Sequence, residues 1–569
     1  MTRSVKDWFF PCMQPNKELT TETRLLLAFV LVGIVLVGWN YIYKPPLPPV
    51  TPPSQTSQPA TEAPKVAQVP ALPSPQAVEL PGQVQASQAQ EFTIETDLYR
   101  VRFSNQGGVV RSWILKQYKD GQGQPLDLVN TKALSNVPAP FALAFRNQAP
   151  PNDPNKGLFT VERSGDLGVT FEYSDGRTAT KKTFQFMPKS YLVQITSQVV
   201  DNGVLLPHEL TWRGGFGDQT IVNPASVEDT LFYDEANSKL VKNAMKSADK
   251  GPVTTSGQYS FAGIEDKYFA AVALPGAGGG LGLTTYSDLV PGPTGTDEKR
   301  IGAGAGGSGL NSFNAFVGPK DTEILRSINP KLEQLIDWGT WFGFIAKPLF
   351  SVLTWTAKHV TGENFGWAIV VVTIGINMVL FPLRFSSLRS SKKMQALQPQ
   401  IQAINAKYKD LPMRDPRKQE QQAEMMELYK KNGVNPVGGC IPMIIQLPFL
   451  IAYYTVLGVA IEMRGASWLW VHDLSQAETL AIRVLPVLLV ITQFLQQKMT
   501  PSPGVDPAQQ KMMLFMPLVL GYMFYYQSAG LVLYWLTGGL VGIAQQWLLN
   551  RGTPAPAVVV PSPPQKKKK

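Results

Sequence analysis

Acid–base chemistry needs an imidazole or carboxylates held together, and the nearest such group in this chain is His208, Glu209 and Asp218. Such a trio could in principle relay a proton. Two or three polar residues on the loops of a β-rich region are commonplace, however, so a rigid scaffold or docking surface is expected there rather than an active site. The three histidines (His208, His359, His472) have no ligand-like spacing, and no zinc site is expected. Cys12 and Cys440 lie beside different hydrophobic stretches, which argues against a disulfide framework. No Walker-type loop is present, so neither a nucleotide cofactor nor ATP hydrolysis is expected. Gly276 to Gly282 and Gly302 to Gly309 read as flexible or tightly turning loops without a phosphate-binding pattern.

A second set of polar residues lies inside apolar stretches. Thr373 and Asn377 interrupt one, Pro442, Gln446 and Pro448 another, Pro486, Thr492 and Gln493 a third, and Thr537 a fourth. Lipid offers no hydrogen bonds, so polar groups at membrane depth face a bundle interior or a wet cavity. Each one alone is explained by interhelical hydrogen bonding; together they point to a polar cavity between spans.

The elements that position them follow from hydrophobic length. Leu25 to Tyr43 is 19 residues without a charge, bounded by Arg24 and Lys44, and that is about what a bilayer core requires. Trp39, Tyr41 and Tyr43 mark it as a retained anchor rather than a signal peptide. Further spans are expected at 365–383, 437–461, 480–497, 512–527 and 531–549. The last two are separated by the polar break Gln527-Ser528-Ala529-Gly530 within 39 uncharged residues between Lys511 and Arg551. The expected fold is therefore a six-span α-helical bundle, a five-span core plus the N-terminal anchor. Two uncharged stretches, Val484 to Gln497 and Met512 to Gln527, reach only about 21 and 24 Å at 1.5 Å per residue, short of a hydrocarbon core near 30 Å. Local thinning of the bilayer would accommodate them.

Orientation follows from basic residues in short loops. Arg3, Lys6, Lys17 and Arg24 precede the anchor, and Arg384 to Lys431 holds 11 Lys/Arg against 5 Asp/Glu. The tail, 551–569, ends in four lysines. Both termini, 1–24 and 551–569, are expected in the cytoplasm, and the region between the first two spans outside it. The net charge of +10 is thus mostly membrane-flanking, although basic cytoplasmic segments also suit a ribosome.

The exported region begins with a tether, 44–90, in which twelve prolines fall between Pro45 and Pro81; such a segment cannot build a core. Short alternating runs from Glu91 then predict a β-sandwich over 91–322, with strands near 141–145, 169–173, 182–186, 191–200, 209–213, 268–274 and 312–317. Between 323 and 360 the periodicity is helical. It predicts an amphipathic helix bent near Pro348 and lying along the membrane interface, or else packed on the sandwich. In the cytoplasmic segment 384–432, helices at about 386–407 and 417–431 should form an antiparallel hairpin. Its methionines Met394, Met413, Met425 and Met426 are candidates for an adaptable surface toward apolar clients, or ordinary core fillers.

At these residues the chain closely resembles the YidC/Oxa/Alb insertase family, in its form with an exported domain. The carrying motifs are Leu397-Gln398-Pro399-Gln400-Ile401, Asn435-Pro436-Val437-Gly438-Gly439-Cys440-Ile441-Pro442, Trp470-Val471-His472-Asp473-Leu474, Asp506-Pro507-Ala508-Gln509-Gln510-Lys511 and Gly530-Leu531-Val532-Leu533-Tyr534-Trp535. The resemblance implies a bacterial inner-membrane insertase and folding chaperone without enzymatic activity. Its clients would be nascent membrane proteins, its partners lipid and the Sec translocon. It implies a polar groove open to lipid and cytoplasm, with Thr373, Gln446, Tyr534 and Trp535 at client-facing positions. The family's groove arginine stands five residues before the proline that is Pro382 here, and this chain has Asn377 there. Arg384, two residues beyond Pro382, is the candidate for a charge at the groove mouth. The rival readings are a solute transporter or channel, against which stand the absence of acidic residues in the spans and of an obvious inverted repeat, and a membrane-anchored carbohydrate enzyme.

Overall fold

The structure is a computed structural model that describes residues 82–552 except 147, 222–223, 277–279, 293–295, 340, 409–414, 434–440 and 500–506. The expected anchor at 25–43, most of the proline-rich segment, the basic tail, Cys440 and Met413 lie outside the described residues.

Nineteen described strands between Glu91 and Pro319 form antiparallel sheets of four, ten and five strands. Period-two alternation builds them. In Thr178–Phe186 the residues Thr178, Thr180, Lys182, Phe184 and Phe186 all point inward. Tyr99, Phe103 and Trp113 of the four-stranded sheet pack their rings against Phe184 and Phe186 of the ten-stranded one. On its other part, the ten-stranded sheet faces the five-stranded sheet, and Ala262, Ile264 and Val272 share one apolar core with Leu210, Trp212 and Ala303. Large apolar side chains buried this fully each contribute about 1.5–3 kcal/mol.

Three expectations are corrected here. Gly302 to Gly306 is not a loop: it belongs to the strand Asp297–Gly306, paired on both sides by Leu281–Pro291 and Glu209–Trp212. Glycine is needed because a Cβ at Gly304 would lie 2.6 Å from Glu209 Oε2, and one at Gly302 would lie 3.0 Å from Asp288 Oδ2. The missing side chains make room for two buried carboxylates, Glu209 paired with Arg146 and Asp288 paired with Arg213. Likewise Gly282 lies within the strand Leu281–Pro291. Second, the end of the tether is docked. Val84 exchanges backbone hydrogen bonds with Ser174, and the buried Asn105 amide accepts from Gln90 N and donates to the carbonyls of Gln88 and Phe159.

Third, the segment 323–360 is not one helix. It forms α1 (Thr322–Ile328), a 3-10 segment (Pro330–Leu335) and α2 (Gly343–His359). The chain leaves α1 at Asn329, ahead of Pro330, and turns again at Gly339 with φ +80°. Pro348 lies inside α2. Leu349, Phe350, Leu353 and Ala357 of α2 are buried, while Phe344, Val352 and Trp355 remain exposed.

The remaining helices are α3 (Phe365–Val379), α4 (Phe381–Ala396), α5 (Gln398–Lys407), α6 (Arg417–Lys431), α7 (Ile441–Val459), α8 (Val484–Met499), α9 (Pro507–Tyr525) and α10 (Ala529–Gly552). Helix α2 packs on α3 and α7, whereas α10 packs on α3 and α8, and α9 on α8. Between α3 and the start of α4 the axis bends by 54°, at Leu380 ahead of Pro382, which has no N–H to continue the ladder. The helix expected at 386–407 is divided at Leu397, two residues before Pro399. Helices α5 and α6 form the hairpin, closed by Tyr408 Oη donating to Glu424 and Gln421 Nε2 donating to Asn405 Oδ1.

Candidate functional site

The polar residues come from α3, α4, α7, α8 and α10, and they meet because α10 is small-faced. Gly538, Gly539 and Gly542 form a stripe on α10. A Cβ on Gly538 would lie 3.9 Å from Asn377 Nδ2 and 4.0 Å from Thr373 Cγ2 of α3, and one on Gly539 would lie 3.5 Å from Thr492 Oγ1 of α8. At Gly542 the corresponding neighbours are Gln496 and, at 3.8 Å, the Arg384 guanidinium. Small residues at such a face let helix backbones approach. The result is a continuous polar strip from Thr373 to Arg384.

Within the strip, hydrogen bonds run mostly to helix backbone. Thr373 Oγ1 donates to Ile369 O at 2.6 Å, and Asn377 Nδ2 donates to Thr373 O at 2.7 Å. Gln545 Nε2 donates to Asn377 O, and Gln496 Nε2 to Gly539 O, both at 3.2 Å. Two acceptors, Asn377 Oδ1 and Gln545 Oε1, are buried with no protein partner. A buried acceptor left unpaired costs about 1–3 kcal/mol, so the strip is primed for a donor. At its far end, Arg384 donates to Gln446 Oε1, and the Tyr534 phenol faces both. Among the described residues no carboxylate pairs with Arg384.

The structure therefore gathers Thr373, Asn377, Arg384, Gln446 and Tyr534, and leaves Trp535 out. Tyr534 stacks on Tyr453 of α7 with ring centroids 4.1 Å apart, whereas Trp535 packs edge-on against Phe524 of α9. Adjacent residues on a helix point about 100° apart, so the pair serves two interfaces. Of the hairpin methionines, Met394 and Met425 pack beside Leu397, Ile401, Leu428 and Tyr429 in the hairpin's own seam. Met426 is half exposed. Sequence reasoning missed Gln496, Gln545 and the glycine stripe. The spacing Gly538-x-x-x-Gly542 in an apolar helix was the available signal.

The trio in the exported domain does not converge. His208 is fully buried, with Nδ1–H donating to Leu206 O at 2.9 Å and Nε2 accepting from Ser197 Oγ at 2.8 Å; burial pulls its pKa down to about 4, so it is neutral. Glu209 pairs with Arg146, and Asp218 with Arg464.

A helical membrane core with a polar strip, carrying a large β-rich exported domain, is the architecture of a membrane protein insertase rather than of a pump with acidic coupling groups. Comparison with known proteins agrees. Residues 355–556 match the family model of the 60Kd inner membrane protein, and residues 91–352 match that of the YidC periplasmic domain. The membrane protein insertase YidC of Ralstonia nicotianae is 34% identical over 515 residues, 87% of this chain and 89% of that one. The membrane protein insertase YidC of Geobacter metallireducens is 33% identical over 569 residues, 94% of this chain and 99% of that one. A crystal structure of an active YidC insertase with its first transmembrane domain resolved is 19% identical, covers 82% of this chain and 93% of its own, and superposes with a TM-score of 0.35. The chain belongs to the YidC family of membrane protein insertases, a family of the bacterial inner membrane.

Proposed function

We propose that this chain inserts, and helps fold and assemble, integral membrane proteins by letting a polar part of the client travel along the strip formed by Thr373, Asn377, Gln446 and Arg384. The observation that carries this reading is the Arg384 guanidinium. In this reading it stands at the cytoplasmic end of a strip that is buried at Thr373 and Asn377 and part-buried at Arg384 and Gln446, and it is bonded to a neutral amide, so its charge is available to an acidic client segment. The lengths of α8 and of α9, which packs on it, favour the same path. Helix α8 has 16 residues, and the apolar part of α9 is Leu514–Tyr525. At 1.5 Å per residue these reach about 24 and 18 Å, against a core near 30 Å. Thinned lipid beside a polar strip lowers the cost of moving a charged tail across.

In this reading the chain crosses the inner membrane six times with both termini in the cytoplasm, and 91–322 is periplasmic. Helix α2 lies at the outer interface, where its exposed Phe344, Val352 and Trp355 meet lipid. Clients arrive alone or from the Sec translocon, and the basic hairpin and tail offer a ribosome contact. Among the described residues Met426 is the hairpin methionine exposed enough to touch a client, and Met394 and Met425 hold the hairpin together. Solute transport is the weaker reading, since the strip holds no acidic residue to couple a proton. Crosslinking from positions 377, 446 and 534 to an arrested single-span client tests the path: adducts at all three are expected, and adducts confined to the hairpin would overturn it.

A further inference from the structure

The connection between α7 and α8 carries one buried arginine that touches all three sheets of the exported domain or their junctions. Arg464 donates to Lys119 O at 2.8 Å, at the end of a strand of the four-stranded sheet. It also pairs with Asp218, in the segment that leads from the five-stranded to the ten-stranded sheet. Its guanidinium lies 5.4 Å from the Tyr268 ring centroid and 5.6 Å from that of Phe269, where a strand of the ten-stranded sheet begins. The side chain is 6% exposed and that of Asp218 1%.

The exported domain prepares this socket in detail. Asp218 Oδ1 accepts from Thr220 N and Thr220 Oγ1 at 2.8 and 2.6 Å, and Asp218 N donates to Asp266 Oδ2 at 3.1 Å. Asp266 Oδ1 in turn accepts from the backbone N–H groups of Tyr268 and Phe269. Gly217 has φ +83°, and a Cβ there would lie 2.0 Å from Asp266 Oδ2, so the turn admits no side chain at that position. On the membrane side, the same connection caps the outer ends of the helices that wall the polar strip. Leu474 O and Gln476 O accept from Gly530 N and Ala529 N at the start of α10. The Glu478 carboxylate accepts from Val484 N and Leu485 N at the start of α8. Trp468 lies against Gly366 at the start of α3.

We propose that Arg464 is a positioning residue: it pins the exported domain in one orientation on the connection that caps α8 and α10, and so holds the outer ends of the strip's walls. A buried ion pair adds little net stability compared with apolar packing, and its best-attested use is to fix register; here the register is that of one domain on another.

The test uses the full chain in lipid discs, with Cys12 and Cys440 replaced and spin labels at positions 204 and 482, exposed sites on the exported domain and the core. The parent should give a narrow distance distribution. Arg464→Gln should broaden it by about twofold, the latitude expected of a domain whose interface is no longer fixed. Asp218→Asn should do the same, and the double variant should go no further than either single. Insertion of a single-span client should fall several-fold in Arg464→Gln while the exported domain keeps its fold, as its circular dichroism spectrum will show. A distribution in Arg464→Gln as narrow as the parent's overturns the pin. A broadened distribution with unchanged insertion overturns its part in the reaction. Arg464→Gln alters no residue of the exported domain, so the proposal stays testable even if Asp218→Asn unfolds it.

Discussion

Replacing Arg384 by alanine should cripple insertion of a client with an acidic tail far more than that of the same client with its acidic residues changed to amides. Two effects must be separated. Arg384 donates to Gln446 Oε1, so its removal leaves that amide oxygen unpaired at a cost of about 1–3 kcal/mol, borne whatever the client carries. The second effect is specific to charge. A client carboxylate about 4 Å from the guanidinium gains about 4 kcal/mol at an effective dielectric constant near 20. Losing its own hydration takes back a large part of this. A net of about 1.4–2.8 kcal/mol corresponds to a ten- to hundredfold change. The assay is protease protection of each client in liposomes that contain only the purified variant, read as initial rates. Arg384→Lys should retain part of the difference, because it keeps the charge and loses the planar fork. Equal losses for both clients would show that Arg384 only holds the helices together, and no loss for either would remove it from the path.

Other perturbations reach different parts of the argument. At Gly542 a Cβ would lie 2.3 Å from Gln496 Nε2, so Gly542→Leu overfills the strip; a cost of about 1–3 kcal/mol and loss of insertion for every client are expected in the same protection assay. Burial, with the charges of Asp321 and Glu323, pushes the Glu462 carboxyl from 4.5 up to about 7. Ionising it therefore costs the folded state nothing below pH 4.5, increasingly more up to pH 7, and a constant amount above. Glu462→Gln should raise stability at pH 8 by up to about 3 kcal/mol and leave it unchanged at pH 4.5, as thermal unfolding at the two pH values will show. Lys182 is fully buried and donates to the carbonyls of Gly107, Gly108 and Phe141. Lys182→Met strands those acceptors and should destabilise the exported domain by about 3 kcal/mol or more, lowering its unfolding midpoint.

Much of the exported domain was legible because burial on one face leaves a period-two trace. The run at 191–200 became Leu192–Asp201, and that at 268–274 became Phe269–Pro275. What alternation could not reveal was Gly302 to Gly306 as a strand: glycine reads as a breaker until the neighbours that need its missing Cβ, Glu209 and Asp288, are known. In the membrane core, Thr373, Asn377 and Gln446 stood out because a polar side chain in an apolar run is costly unless partnered. Gly538, Gly542 and Gln545 did not, since a glycine in an apolar helix says nothing about which helix lies against it. The hairpin methionines left two roles open in the sequence, because a methionine fills a seam as readily as it greets a client; Met394 and Met425 lie in the seam. Arg464 was silent as well, one of five charged residues in the connection 460–483, with a partner, Asp218, that lies 246 positions earlier.

If this chain moves clients into lipid through its own strip, insertion needs both the purified protein alone and the strip's polar side chains. The most direct test is protease protection of a small single-span client added to liposomes containing only the purified protein, with Asn377→Leu, Gln446→Leu as the paired control. Protection above empty liposomes by the parent, lost in the folded double variant, is the predicted result. Equal protection by both would show that insertion does not depend on the polar strip.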